Sequence, residues 1–242
     1  MAHPSHRDDL SRFLVHLTRN DAKKNLVSML RHKVIEARNA HCLFHYEFDG
    51  FSPVLKKQFN TVCFTETPLT QIHRLTGEIP GRAIALKGFG FVFSKDAMIK
   101  RGACPAVYLN AKGTKLKHYL LSRFRADFRN INRLDKLKKA QADHYRSIIQ
   151  YYSLINIIAE NYDFAWEREW RYRGDFEFRY RDIVAIVAED PVSFESHCKK
   201  SLKPERFKYV ERIPIISAKY SYDEVVEAMS AKIRRFALAH DS

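Results

Sequence analysis

Two acids and one guanidinium, each placed by strand alternation, are where this chain could do chemistry. In WEREWRYR, residues 166–173, alternation sends Trp166, Arg168, Trp170 and Tyr172 to one face and Glu167, Glu169, Arg171 and Arg173 to the other. Same-face neighbours on a strand lie roughly 7 Å apart, within reach of long side chains, so Glu169 and Arg171 can form a mutually oriented acid and cation. In NTVCFTETPL, residues 60–69, Val62, Phe64 and Glu66 share one side of an extended chain, so an apolar face finishes at an acid and a proline-stopped turn. Glu66 either caps that turn or is delivered to a pocket. Paired with Glu169 it would supply two strand-borne carboxylates, with Arg171 able to hold one of them ionised.

The charged face beside Glu169 is either solvated or, in a central strand, in need of partners or a ligand. The apolar DIVAIVAED stretch that follows favours a central sheet. A third candidate is His16 in FLVHLTR, where His16, Thr18 and Arg19 at a strand end could present two hydrogen-bonding groups and a cation to a phosphate or ribose. A lone histidine among apolar residues is more often structural, and that reading stands beside the first. Residues 112–147 carry 11 Lys and Arg against three Asp, interleaved with His118, Tyr119, Phe124, Phe128 and Tyr145. This mixture suits phosphate contact through Arg123, Arg125, Arg129 and Lys136 with stacking on the rings, and equally suits an amphipathic helix with a wet basic face.

The elements that must position these residues are legible in outline. FLVHLT reads as a strand, NDAKKNLVSMLRH as a helix capped by Asn20 or Asp21, and Val34–Ile35 as a second strand. HRLTGEIPGRAIALKGFG, with four glycines and one proline, reads as a segment lining or covering something mobile. FGFVFSKDAMIKRGACPAVYL reads as strand, short helix, tight turn at Arg101–Gly102, and strand. About 112–160 should be mostly helical, basic first and apolar later. RIPIIS is a short strand, and Ser221 precedes an amphipathic helix carrying Val225, Val226, Met229, Ile233 and Phe236. The expected architecture is one α+β domain over 1–242, a mixed central sheet with flanking helices and a long basic helical insertion.

Composition excludes several classes. Hydrophobic content of 45% rules out general disorder, and no apolar run approaches the roughly 20 residues of a membrane span, so no membrane partner is expected. The charged N-terminus lacks the apolar stretch of a secretory signal, which implies a cytoplasmic protein. Cys42, Cys63, Cys104 and Cys198 are widely spaced without a CxxC pair, and His32, His41, His45 and His73 lack ligand spacing with carboxylates, so no structural metal is expected. The net charge of +14 favours polyanionic partners, nucleic acid foremost. Neither GxxxxGK[ST], GxSxG nor HExxH is present, nor a GxGxxG after a strand.

The ordered set VCFTETPL, FGFVFSKDAMIKRGACPAVYL and EREWR, within residues 60–190, resembles the AbiGi-like abortive-infection proteins of bacteria and phages. The resemblance implies phage resistance, a toxin–antitoxin setting, and a cognate toxin or antitoxin as partner. A looser likeness links FLVHLTRNDAKKNLVSMLRHKVIEA to the opening of ADP-ribosyltransferase-like domains. That likeness implies NAD as co-substrate, His16 as ribose or phosphate contact, Thr65 or Tyr46 at the nicotinamide side, and Glu169 as catalytic carboxylate, acting on a nucleic-acid or protein target. Two functions from different classes therefore stand: a transferase of phage defence, and a non-catalytic antitoxin or nucleic-acid-binding module.

Overall fold

The structure is a computed structural model that describes residues 10–79, 82, 85–110, 112, 114–131, 134–158 and 165–238. In chain order the elements begin β1 (Phe13–Leu17), α1 (Ala22–His32), β2 (Val34–Ile35), α2 (Pro53–Lys57), β3 (Thr61–Thr65), α3 (His73–Thr76), β4 (Gly90–Ser94), α4 (Lys95–Lys100), β5 (Cys104–Pro105) and β6 (Val107–Leu109). They continue with α5 (Leu116–Phe128), α6 (Lys139–Leu154), β7 (Ile155–Ile157), β8 (Glu169–Arg173), β9 (Phe176–Glu177), β10 (Ile183–Val187), α7 (Pro191–Ser201), α8 (Pro204–Val210), β11 (Ile215–Ile216) and α9 (Tyr222–Leu238). The main sheet has the order β11-β10-β4-β1-β3-β8-β5. With parallel and antiparallel pairs both present, the fold is α+β with a mixed sheet, as composition and patterning lead one to expect. Both β8 and β10 are interior strands of that sheet.

The chain forms two compact units, one from residues 1–34, 64–101 and 177–242 and one from 35–63 and 102–176. In the first, β1 pairs antiparallel with β4 from Phe13↔Ser94 to Leu17↔Gly90, and β10 joins β4 antiparallel and β11 parallel. Val15, Leu17, Val92, Ala185, Val187 and Ile216 bury one face of this sheet together with Ile72, Leu75 and Val225. Gly90 is demanded by close approach: a Cβ there would lie 2.0 Å from the His16 carbonyl oxygen. Asp21 occupies the helix N-cap position at φ 38° without a side-chain capping bond. Asn25 instead reaches back, its Nδ2 donating to the carbonyl of Asn20 at 2.8 Å. The chain turns too tightly through Asn20 and Asp21, both at positive φ, for the expected cap geometry.

In the second unit β8 pairs with β5, Cys104 opposite Arg171, and β6 runs parallel to β7. Its core is aromatic, with Phe44 stacked on Phe124 at 4.6 Å and Phe48, Phe59, Phe128 and Tyr152 around them. Leu120, Phe124 and Phe128 recur every fourth residue, so α5 turns this stripe inward and its basic residues outward. Helix in the 112–160 segment stops at Leu154, because the β-branched Ile155 and Ile157 extend to pair beside β6. The alternation read through WEREWRYR starts only at Glu169. Ala165–Glu167 is a 3-10 turn and Arg168 sits at φ 46°, so Trp166 and Arg168 lie off the strand. Gly102, at φ 97°, makes the expected turn after α4. The glycine-rich segment is described only in part, residues 80, 81, 83 and 84 lying outside the described set.

Candidate functional site

Among the described residues, the second unit contains a dense polar cluster built around β8. Glu169 and Arg171 project from the same face of β8, and the guanidinium grips the carboxylate with two bonds, Nε to Oε1 at 3.0 Å and Nη2 to Oε2 at 2.9 Å. The Arg171 side chain is 2% exposed and that of Glu169 13%. Arg171 Nη1 also donates to the Ser153 carbonyl at 2.6 Å, placing a cation on the last turn of α6, where the helix exposes its unpaired carbonyls. From β6, Tyr108 Oη donates to Glu169 Oε2 at 2.7 Å. From β3, the Cys63 thiol hydrogen-bonds Glu169 while its sulfur accepts from Asn39 Nδ2 at 2.9 Å.

Burial works to raise the Glu169 carboxyl, but the adjacent guanidinium and its hydrogen bonds outweigh it and hold the group below the usual carboxylate range. Burial alone would lower Arg171, and Glu169 more than reverses this. Desolvation, reinforced by the negative charge of Glu169, pushes the Cys63 thiol up to about 12 and moves the Tyr108 phenol up as well. Both therefore stay protonated donors at neutral pH. At the rim, partial burial and then His45 and Arg171 lower His41. An ionised carboxylate offers about four lone-pair positions. Glu169 spends them on two guanidinium nitrogens, a phenol and a thiol.

In the first unit, half-buried His16 meets Phe64 edge-on with ring centres 5.8 Å apart. Buried Thr18 donates its hydroxyl to the Phe89 carbonyl at 2.9 Å, tying down the end of β1, and Arg19 is exposed. The Thr65 hydroxyl bonds that of Thr67 at 2.8 Å. Glu66, just past β3, pairs with Lys95 Nζ at 2.7 Å, both side chains largely buried. Glu66 thus has a lysine as counter-ion, whereas Arg171 serves Glu169.

In the second unit Tyr46 is 84% exposed. Arg125 forms a two-bond pair with Glu47, both bonds 2.7 Å, and Arg123 pairs with Asp127 at 2.9 Å. Arg129 and Lys136 are exposed. Among the rings expected to stack on bases, Phe124 and Phe128 belong to the core, while His118 and Tyr119 face solvent. Sequence reasoning missed Cys63, Tyr108, Asn39 and Ser153. Cys63 sits inside the VCFTE stretch, on the strand face opposite Glu66; its alternation with Val62 and Phe64 was the available signal. Among the described residues no group of acids, histidines and cysteines is arranged to hold a metal, and no helix is long and apolar enough to cross a membrane.

A family profile described as "Putative abortive phage resistance protein AbiGi, antitoxin" matches residues 27–219. Comparison with curated proteins and with solved structures gave no significant match. The match takes in most of the chain, including β3, β4, β6 and β8, so the chain belongs to the AbiGi family of abortive phage resistance proteins.

Proposed function

We propose that this AbiGi-family chain acts in phage defence as an antitoxin, by binding a cognate toxin rather than by catalysis at Glu169. One observation carries the reading: every acceptor position of Glu169 is occupied by groups of its own unit. A carboxylate that stabilises a developing oxocarbenium ion or orients a nucleophile needs an acceptor aimed at the substrate. Glu169 instead closes a network joining β3, β6, β8 and the end of α6. Its place is that of an anchor that fixes a binding scaffold.

The test compares wild type and Glu169→Gln at matched soluble levels, in cells producing the cognate toxin and in purified form with radiolabelled NAD. Antitoxin action by binding predicts that toxin neutralisation follows the amount of folded protein, and that no label passes to RNA, DNA or lysate protein. Transfer of label from NAD to RNA, DNA or lysate protein by the wild type overturns it.

A second reading, an ADP-ribosyltransferase using NAD, has one observation in its favour: Glu169 is ionised and held in one orientation, as a catalytic carboxylate must be. In it His16 contacts the ribose or a phosphate, Thr65 or Tyr46 flanks the nicotinamide, and Glu66 is an accessory acid. The hydroxyl of Thr65 is engaged with Thr67 and Tyr46 stands in solvent, which fits the antitoxin better. The same labelling experiment separates the two.

A further inference from the structure

We propose that the outer face of α5, with the row of rings at His41, His45 and Tyr46, is a binding site for single-stranded nucleic acid. The rings follow one another with centres 5.6 Å apart for His41 and His45 and 4.9 Å for His45 and Tyr46. All three residues are exposed. The row belongs to a segment held against α5 by the two-bond Arg125–Glu47 pair and by the Phe44–Phe124 stack. Helical spacing of three and four residues then aligns His118, Ser122 and Arg125 on one outer stripe of α5, with Lys115 and Arg129 just beyond its two ends, beside Tyr119, itself 67% exposed.

Large rings left in water beside the exposed cations Lys115 and Arg129 match two features of an unpaired strand, its open base faces and its phosphates. A duplex covers its base faces and would leave the rings unused. Charge sets the sign of the partner, since residues 112–147 carry 11 Lys and Arg against three Asp. The exposed tyrosines then choose an unpaired strand over an acidic protein. The ring row borders the Glu169 cluster at His41 but uses none of the bonds of that cluster, and the site does not depend on the toxin-binding role.

The experiment is fluorescence anisotropy on the full chain with labelled single strands of RNA and of DNA of about 12 nucleotides, within the usual site size, and with the matching duplex. Single strands should bind, the duplex clearly more weakly, and log K should fall linearly with log salt between about 50 and 200 mM. Tyr46→Ala should weaken binding roughly tenfold or more while Tyr46→Trp retains it. Lys115→Gln with Arg129→Gln should make the salt slope shallower by about 1.4, at about 0.7 per lost cation. No binding at about 50 mM salt, equal affinity for the duplex, or an unchanged Tyr46→Ala overturns the proposal. Competition by polyglutamate as effective as by the single strand does so too, and assigns the face to an acidic protein.

Discussion

Removing Arg171 should be among the most damaging single changes in the second unit, and the reason can be isolated. Arg171→Met leaves the Glu169 carboxylate, 13% exposed, without its cation and strips the Ser153 carbonyl of its donor. Breaking one side of a buried pair costs about 3–5 kcal/mol, chiefly the penalty of a stranded charge. Glu169→Gln strands the guanidinium instead, at 2% exposure, while keeping an acceptor for Tyr108, and should cost a similar amount. The double variant strands neither charge, so it should be less destabilised than the sum of the singles by about 2 kcal/mol or more. Both tryptophans, Trp166 and Trp170, lie in this unit, so tryptophan fluorescence during urea unfolding reads its stability directly.

With slopes of about 1–3 kcal/mol/M, each single variant should lower the urea midpoint by at least about 1 M. Acid provides a second readout. In Arg171→Met burial, the largest influence on Glu169, is opposed only by the Tyr108 and Cys63 hydrogen bonds, and the folded carboxyl should rise above the unfolded value. Stability is then fully present below the unfolded pKa and lost as pH rises through the folded one, so the variant should recover on acidification. Wild type behaves oppositely: its depressed Glu169 contributes stability above the unfolded carboxylate range that disappears as pH falls through the folded value. Additive single and double variants, agreeing within about 0.5 kcal/mol, would refute the anchor role.

Other outcomes follow from the same geometry. The Cys63 thiol, raised to about 12, and Cys42, raised to about 11, should resist iodoacetamide at neutral pH in the folded chain and react fully in urea, as read by mass spectrometry. Because their folded values lie above the unfolded one, the stability they confer is complete below the ordinary thiol range; melting temperature should fall as pH climbs from there toward about 11–12. Gly90→Ala drives a methyl into the His16 carbonyl and should destabilise the first unit by about 3 kcal/mol or more, visible as reduced soluble yield and a lower thermal transition. Lys95→Met strands the Glu66 carboxylate and should cost about 1–3 kcal/mol, partly relieved by adding Glu66→Gln.

Period-two alternation was enough to bring Glu169 and Arg171 together, because residues two apart on a strand share a face whatever surrounds them. The strand–helix–strand opening and the turn at Gly102 were likewise local patterns, readable from spacing and from the conformational freedom of glycine, whereas the spacing of Phe124 and Phe128 suited base stacking and core equally and only packing put them inside. The family was also legible, since its motifs are short ordered stretches. What occupies Glu169 was not. Tyr108 is 61 residues away in sequence and Asn39 reaches Cys63 across 24, so those contacts exist only once β3, β6 and β8 have assembled. Arg125 looked like an available cation until the fold set Glu47, 78 residues earlier, against it. Local spacing determines which side chains share a face; only long-range packing decides which of them is already satisfied and which still faces solvent, because desolvation and pairing depend on neighbours that the chain brings in from afar.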